Sequence, residues 1–169
     1  MKLIILNGTS CSGKSTIIER LMQERGIFYL KGDSLKRLFS NYSFYTHKDD
    51  VEKIVMAVAK AIFTMKYTVV SDYSLFKLSR QRIIDLAKEA GYEVIEINLE
   101  SELEVLETRF DERVRGSLAD SSKKISNTSK DRFKELFEIY NKEKNLLAKT
   151  LHTDKQSIEE VVNKIKVYL

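Results

Sequence analysis

Residues 8–16 read Gly8-Thr9-Ser10-Cys11-Ser12-Gly13-Lys14-Ser15-Thr16 and are preceded by Lys2-Leu3-Ile4-Ile5-Leu6-Asn7. The preceding stretch is a short apolar run stopped by glycine, which predicts a buried strand. After Gly13, Ile17, Ile18 and Leu21 recur at helical spacing, and Gly26 supplies a stop, which predicts a helix over 14–25. Gly8, Gly13, Lys14 and Ser15 therefore satisfy G-x-x-x-x-G-K-[ST] between a strand and a helix. The glycines let consecutive backbone N–H groups curl around a polyphosphate, and the helix N-terminus adds the positive end of its dipole.

The rest of the chain repeats that alternation. Ile27–Leu30 reads as a second strand ending at Gly32-Asp33, followed by a short helix through Leu38-Phe39. Val51, Ile54, Val58, Ala61, Ile62 and Met65 give 48–65 helical spacing. Thr68, Val69 and Val70 predict a third strand ending at Ser71-Asp72, and Ser79 predicts the cap of a helix running to Gly91. Val94, Ile95 and Ile97 predict a fourth strand, with Ser101 and Glu104 as a capping box for the next helix. Residues 130–146 carry Phe133, Leu136, Phe137 and Tyr140 on one face, and a short strand at Thr150–His152 precedes a last helix from Ser157. Alternating strands and helices imply a doubly wound parallel sheet, here of five strands, covered on both faces. The fold class is α/β: a three-layer P-loop NTPase fold in one domain spanning residues 1–169. Ligands bind such sheets beyond the C-terminal strand ends, where Gly8–Ser15, Asp33 and Asp72 all fall.

The chain has 169 residues, enough for one domain with a substantial core. Its 43% hydrophobic and 32% charged residues fit a soluble profile, and no apolar run reaches the roughly 18 residues a membrane span needs. The N-terminus lacks the features of a signal peptide, so a cytoplasmic protein without membrane contact is expected. A single cysteine, Cys11, excludes a disulfide framework, and two histidines, His47 and His152, are too few for a histidine metal site. The net charge of +4 permits a phosphorylated or nucleic-acid partner, but the basic residues are scattered, Lys36-Arg37 and Lys123-Lys124 being the only doublets.

The phosphate loop by itself fits a switch, a motor or a kinase. A guanine-nucleotide switch needs N-K-x-D, whereas Asn141-Lys142 runs on into Glu143-Lys144. A motor usually ends an apolar strand in Asp-Glu, whereas here the strand ends Val70-Ser71-Asp72-Tyr73. A small phosphotransferase fits better. The nucleotide, ATP, is then expected on Gly8, Ser10, Cys11, Ser12, Gly13, Lys14, Ser15 and Thr16. Lys14 would reach the β- and γ-phosphates, and the Ser15 hydroxyl would hold Mg2+. Asp33 is the candidate base for an acceptor hydroxyl, although it also reads as a helix N-cap. Lys36 and Arg37 follow one turn later as candidate substrate-binding cations, and Asp72 either binds the acceptor or orders the metal through water. Residues 109–128, with Arg109, Arg113 and Arg115 ahead of a Ser- and Thr-rich run, read as a lid. There Arg113 is the candidate catalytic cation and Arg109 a candidate ATP-binding residue. The competing reading pairs these arginines with Glu107, Asp111 and Glu112 along the helix. Tyr42, Phe44, Tyr45, Tyr73 and Phe76 flank the acceptor side, as stacking surfaces or as packing.

With these motifs the chain resembles the P-loop kinase group that contains polynucleotide 5'-hydroxyl kinases, chloramphenicol phosphotransferase, zeta-type toxins and gluconate-like kinases. The resemblance rests on Leu3–Thr16, Gly32–Arg37, Val69–Asp72 with Ser79-Arg80-Gln81-Arg82, Glu104–Arg113 and His152-Thr153-Asp154. It implies a kinase-type fold with a lid, Asp33 as the acceptor-activating aspartate and Arg113 as the lid arginine. Polynucleotide kinases place an arginine three residues after that aspartate. This chain has Lys36 there, a point charge in place of a bidentate fork. The expected function is an ATP- and Mg2+-dependent kinase acting on a hydroxyl of a small molecule or of a nucleic acid 5' end. The alternatives are a nucleoside monophosphate kinase and a non-catalytic nucleotide-binding regulatory protein.

Overall fold

A computed structural model describes residues 1–24, 26–31, 34, 39, 44–72, 77–119 and 129–169. Five parallel strands form one sheet: β1 Lys2–Asn7, β2 Ile27–Leu30, β3 Thr68–Ser71, β4 Glu93–Glu100 and β5 Lys149–His152, in the order β2-β3-β1-β4-β5. The helices among the described residues are α1 Lys14–Leu21, α2 Phe44–Thr64, α3 Lys77–Glu89, α4 Leu103–Ala119, α5 Lys130–Glu143 and α6 Ile158–Lys166. None is long and apolar enough to cross a membrane. The five-stranded α/β fold expected from the alternation is the one observed.

Side-chain alternation along the strands builds two cores. Leu3 and Ile5 of β1, Leu30 and Val69 pack beneath Val51, Val55, Ala59, Ile62 and Phe63 of α2 and Ile83, Ile84 and Ala87 of α3. On the other face Ile4, Leu6, Val70, Ile97, Leu99 and Leu151 meet Ile17, Ile18 and Leu21 of α1 and Val161, Val162 and Ile165 of α6. A third cluster, Leu106 and Phe110 of α4 with Phe133 of α5, takes Cys11 of the phosphate loop against it. Burying each large aliphatic side chain stabilises the fold by about 1.5–3 kcal/mol.

Register fixes the business end. β1 pairs with β3 as Leu3↔Val69 through Ile5↔Ser71, and with β4 as Lys2↔Glu93 through Asn7↔Asn98. β3 therefore ends at Ser71 opposite Ile5, two residues before β1 ends at Asn7, and Asp72 and Gly8 each lie directly beyond a strand end on the C-terminal edge.

Several element ends differ from the sequence expectations. α1 stops at Leu21, four residues early, and Gly26 takes a left-handed φ of 78° ahead of β2. α2 begins at Phe44, ahead of the expected 48, and α5 ends at Glu143. Ser79 lies inside α3 and is buried, so it is not a cap. The Lys77 N–H at the start of α3 instead donates to the Glu143 carboxylate at 3.0 Å. The Ser101–Glu104 capping box is not formed either: the Ser101 hydroxyl is buried without a hydrogen-bond partner among the described residues, and the Glu102 N–H donates to Asp154 Oδ2 at 3.2 Å. Both caps come from across the fold. α5 and α6 are capped locally, α5 by the Ser129 hydroxyl accepting from the Arg132 N–H at 3.1 Å and α6 by a capping box between Ser157 and Glu160.

Candidate active site

The loop after β1 is shaped by close approach and by left-handed backbone. A Cβ on Gly8 would stand 2.4 Å from Ser12 Oγ and 2.8 Å from the Leu99 carbonyl, so only glycine fits. Gly13 has φ 88° and Cys11 φ 65°, the latter a conformation a side chain seldom adopts. Gly13 is the N-cap of α1 and has no side chain with which to cap the first-turn N–H groups. Such amides suit an anion.

Lys14 arches back over this loop. Its ammonium donates to the carbonyls of Gly8 at 2.7 Å and Thr9 at 2.6 Å, and reaches Ser12 Oγ at 3.5 Å. Ser12 is buried, whereas Ser15 and Thr16 are exposed at the start of α1. A serine hydroxyl and a carboxylate such as Asp72 are the hard oxygen donors that Mg2+ prefers, so the side chains at this edge fit that ion.

The two arginines come to the loop from α4, four residues apart and hence on one helix face. Arg113 Nη1 lies 3.5 Å from Ser10 Oγ. Arg109 is a brace: Nη1 reaches the Cys11 carbonyl at 3.4 Å and Thr153 Oγ1 at 3.1 Å, and Nη2 donates to the Thr153 carbonyl at 2.7 Å. Of the three carboxylates in the competing reading, Glu107 and Asp111 face lysines of α5. Lys130 pairs with Asp111 at 3.0 Å, and Lys134 pairs with Glu107 at 3.1 Å. Asp154, beside Thr153, caps α4. Burial works against its charge, but N–H groups of Glu102 and of Asp154 itself, with Lys155 and His152 nearby, hold its carboxyl below the usual range.

On the far side of β1, the Tyr29 hydroxyl donates to Asp72 Oδ2 at 2.8 Å. Asp33, Lys36 and Arg37 lie outside the described residues, as do Tyr42, Tyr73, Phe76 and the lid portion 120–128. Phe44 and Tyr45 begin α2, and their side chains are likewise outside that description. The described residues thus bring together the phosphate loop, Arg109, Arg113 and the Asp72 strand end.

Sequence reasoning missed a polar network under the loop. Asn7, 3% exposed, donates to Glu96 Oε2 at 3.2 Å and Asn98 Oδ1 at 3.4 Å. Arg80, 4% exposed, pairs with Glu96 through Nε at 3.1 Å and donates to the Glu143 carbonyl at 2.6 Å. Asn145 completes the Glu96 contacts at 2.8 Å. The available signal was polar residues at alternate positions 96 and 98 of a strand otherwise reading as buried.

Comparison with known proteins agrees with this geometry. Residues 3–138 match the family described as AAA domain. Over 112 residues the chain is 34% identical to the adenylyl-sulfate kinase of Saccharomyces pastorianus, covering 62% of this chain and 55% of that protein. It therefore spans about half the length of the curated relatives it matches. In fold it is similar to the Mycobacterium tuberculosis APS kinase in complex with AMPPNP and APS: TM-score 0.68, 21% identity, 98% of this chain and 95% of that one. It is equally similar, at TM-score 0.68 and 21% identity, to part of an RNA repair complex, covering 83% of this chain and 44% of that one. The family match extends from β1 through most of α5 and includes the phosphate loop and both arginines, so the chain belongs to the AAA domain family and is a member of the P-loop kinase superfamily.

Proposed function

We propose that this chain is an ATP- and Mg2+-dependent phosphotransferase that delivers the γ-phosphate to a hydroxyl group of a small molecule. The observation that carries the reading is the convergence of Lys14, the first-turn amides of α1 and two α4 arginines on one loop. A bound triphosphate would take over the N–H groups of residues 13–16 and draw Lys14 from the Gly8 and Thr9 carbonyls. Arg113, which reaches Ser10 of the loop, would stabilise charge on the transferring phosphoryl group. Arg109 holds the loop and the segment after β5 in register. Ser15 and Asp72 would hold the metal, the latter through water, and Mg2+ when bound neutralises phosphate charge. Asp33 would accept the acceptor's proton, with Lys36 and Arg37 binding the acceptor's own charge. The segment 109–128 would exclude water as a lid, within a single domain.

Adenylyl sulfate is the first acceptor to test, because it names the activity of the curated relatives at about one-third identity. The experiment supplies γ-labelled ATP with adenylyl sulfate, small sugars and 5'-hydroxyl or 5'-phosphate oligonucleotides. Label on a small molecule, abolished in Asp33→Asn, supports the reading. Label confined to hydroxyl-ended oligonucleotides would replace it with the nucleic-acid version. ATP binding without transfer to any acceptor would favour a regulatory nucleotide-binding protein.

A further inference from the structure

Asp72 leaves β3 two residues after Val70, whose side chain packs with Ile17 and Ile18 of α1. Side chains alternate along a strand, so Asp72 stands on the α1 side of the sheet, above the helix that carries Ser15. Its contact confirms the side: Tyr29, which donates to Oδ2 at 2.8 Å, packs against the same α1 cluster. The Asn7, Glu96 and Arg80 network occupies the opposite face. The Tyr29 ring is itself held, with the Lys31 ammonium 5.6 Å from its centroid.

We infer that Tyr29 is a positioning residue for the magnesium side of the site: its hydroxyl fixes the rotamer of Asp72 so that the carboxylate meets the metal's water shell next to Ser15. This deepens the proposed function and rests on it. A carboxylate oriented by a donated hydrogen bond starts from the geometry its metal water needs, whereas a free one must lose rotamers on binding.

The test measures binding of a non-hydrolysable ATP analogue by calorimetry across a Mg2+ titration, and separately in EDTA, for the wild-type protein, Tyr29→Phe and Asp72→Asn. Tyr29→Phe keeps the ring and its packing. It should raise the Mg2+ concentration for half-maximal nucleotide binding by about tenfold, with EDTA affinity and Tm unchanged. Asp72→Asn should shift the same midpoint at least as far. An unaltered Mg2+ midpoint in Tyr29→Phe overturns the inference while the functional reading stands. Equal weakening with and without Mg2+ also overturns it, because that marks a general packing role. Wild-type protein that binds no nucleotide under any condition overturns the functional reading, and the inference with it.

Discussion

The two faces of the sheet handle charge in opposite ways. On the α1 face, Asp72 and Ser15 sit past strand ends or at a helix start, partly or fully exposed, with Asp72 held by a neutral hydroxyl. On the α3 face, Glu96 lies in mid-strand, enclosed by Arg80, Asn7 and Asn145. A carboxylate surrounded by fixed donors has its lone pairs spent on the fold. One past a strand end stands at the edge where such sheets bind ligands. Burial and a charged partner therefore mark a structural role for Glu96, whereas Asp72 is proposed for the metal side by its position in the topology.

If this contrast is right, substitutions at the strand edge cost turnover without stability, and those in mid-strand cost stability first. The largest effect is expected for Asp33→Asn, about a thousandfold loss of kcat, or about 4 kcal/mol of barrier, with ATP affinity within about twofold. Steady-state kinetics beside nucleotide calorimetry check it. Next comes Arg80→Met, which leaves the Glu96 charge buried and uncompensated and should cost about 3 kcal/mol in urea denaturation. Arg80→Met with Glu96→Leu should recover much of that loss. If the single variant is as stable as wild type, the network is not desolvated and the contrast between faces fails.

Arg113→Ala should lower kcat by about a hundredfold at unchanged Tm, whereas Arg109→Ala should also lower Tm, because its guanidinium ties Cys11 to Thr153. A fall in Tm for both would merge the two arginines into one structural unit. The smallest effect belongs to Asp154→Asn, about 0.5–1 kcal/mol at neutral pH through the α4 cap. The folded-state pKa of Asp154 lies below its ordinary value. Its contribution is therefore complete above the ordinary carboxylate pKa and is lost as pH falls through the depressed one. The Tm difference between wild type and variant should hold at neutral pH and shrink as pH falls below the ordinary carboxylate range.

The phosphate loop and its flanking elements were legible because local rules decide them. A glycine must accept a Cβ-free approach at Gly8, a left-handed turn falls at Gly13, and an apolar run makes β1. Strand count and layer order followed from periodicity. The caps of α3 and α4 were misread because Ser79 and Ser101 obey local propensity, while Glu143 and Asp154 arrive from distant elements with a stronger, charged acceptor. Tyr29 escaped notice for a related reason: its partner lies 43 residues away, across a strand pairing that no local pattern announces. Arg109 and Arg113 were both read as site candidates, but the ties of Arg109 to Cys11 and Thr153 were not legible, because only the fold brings Thr153 alongside.

The decisive measurement is calorimetric titration of Mg2+-ATP into the wild-type chain and into Lys14→Ala. One site per chain, with affinity in about the micromolar range and weakened at least tenfold in the variant, is the result expected if the loop grips a triphosphate. No binding by folded wild-type protein at about millimolar Mg2+-ATP, or equal affinity in both proteins, would contradict it.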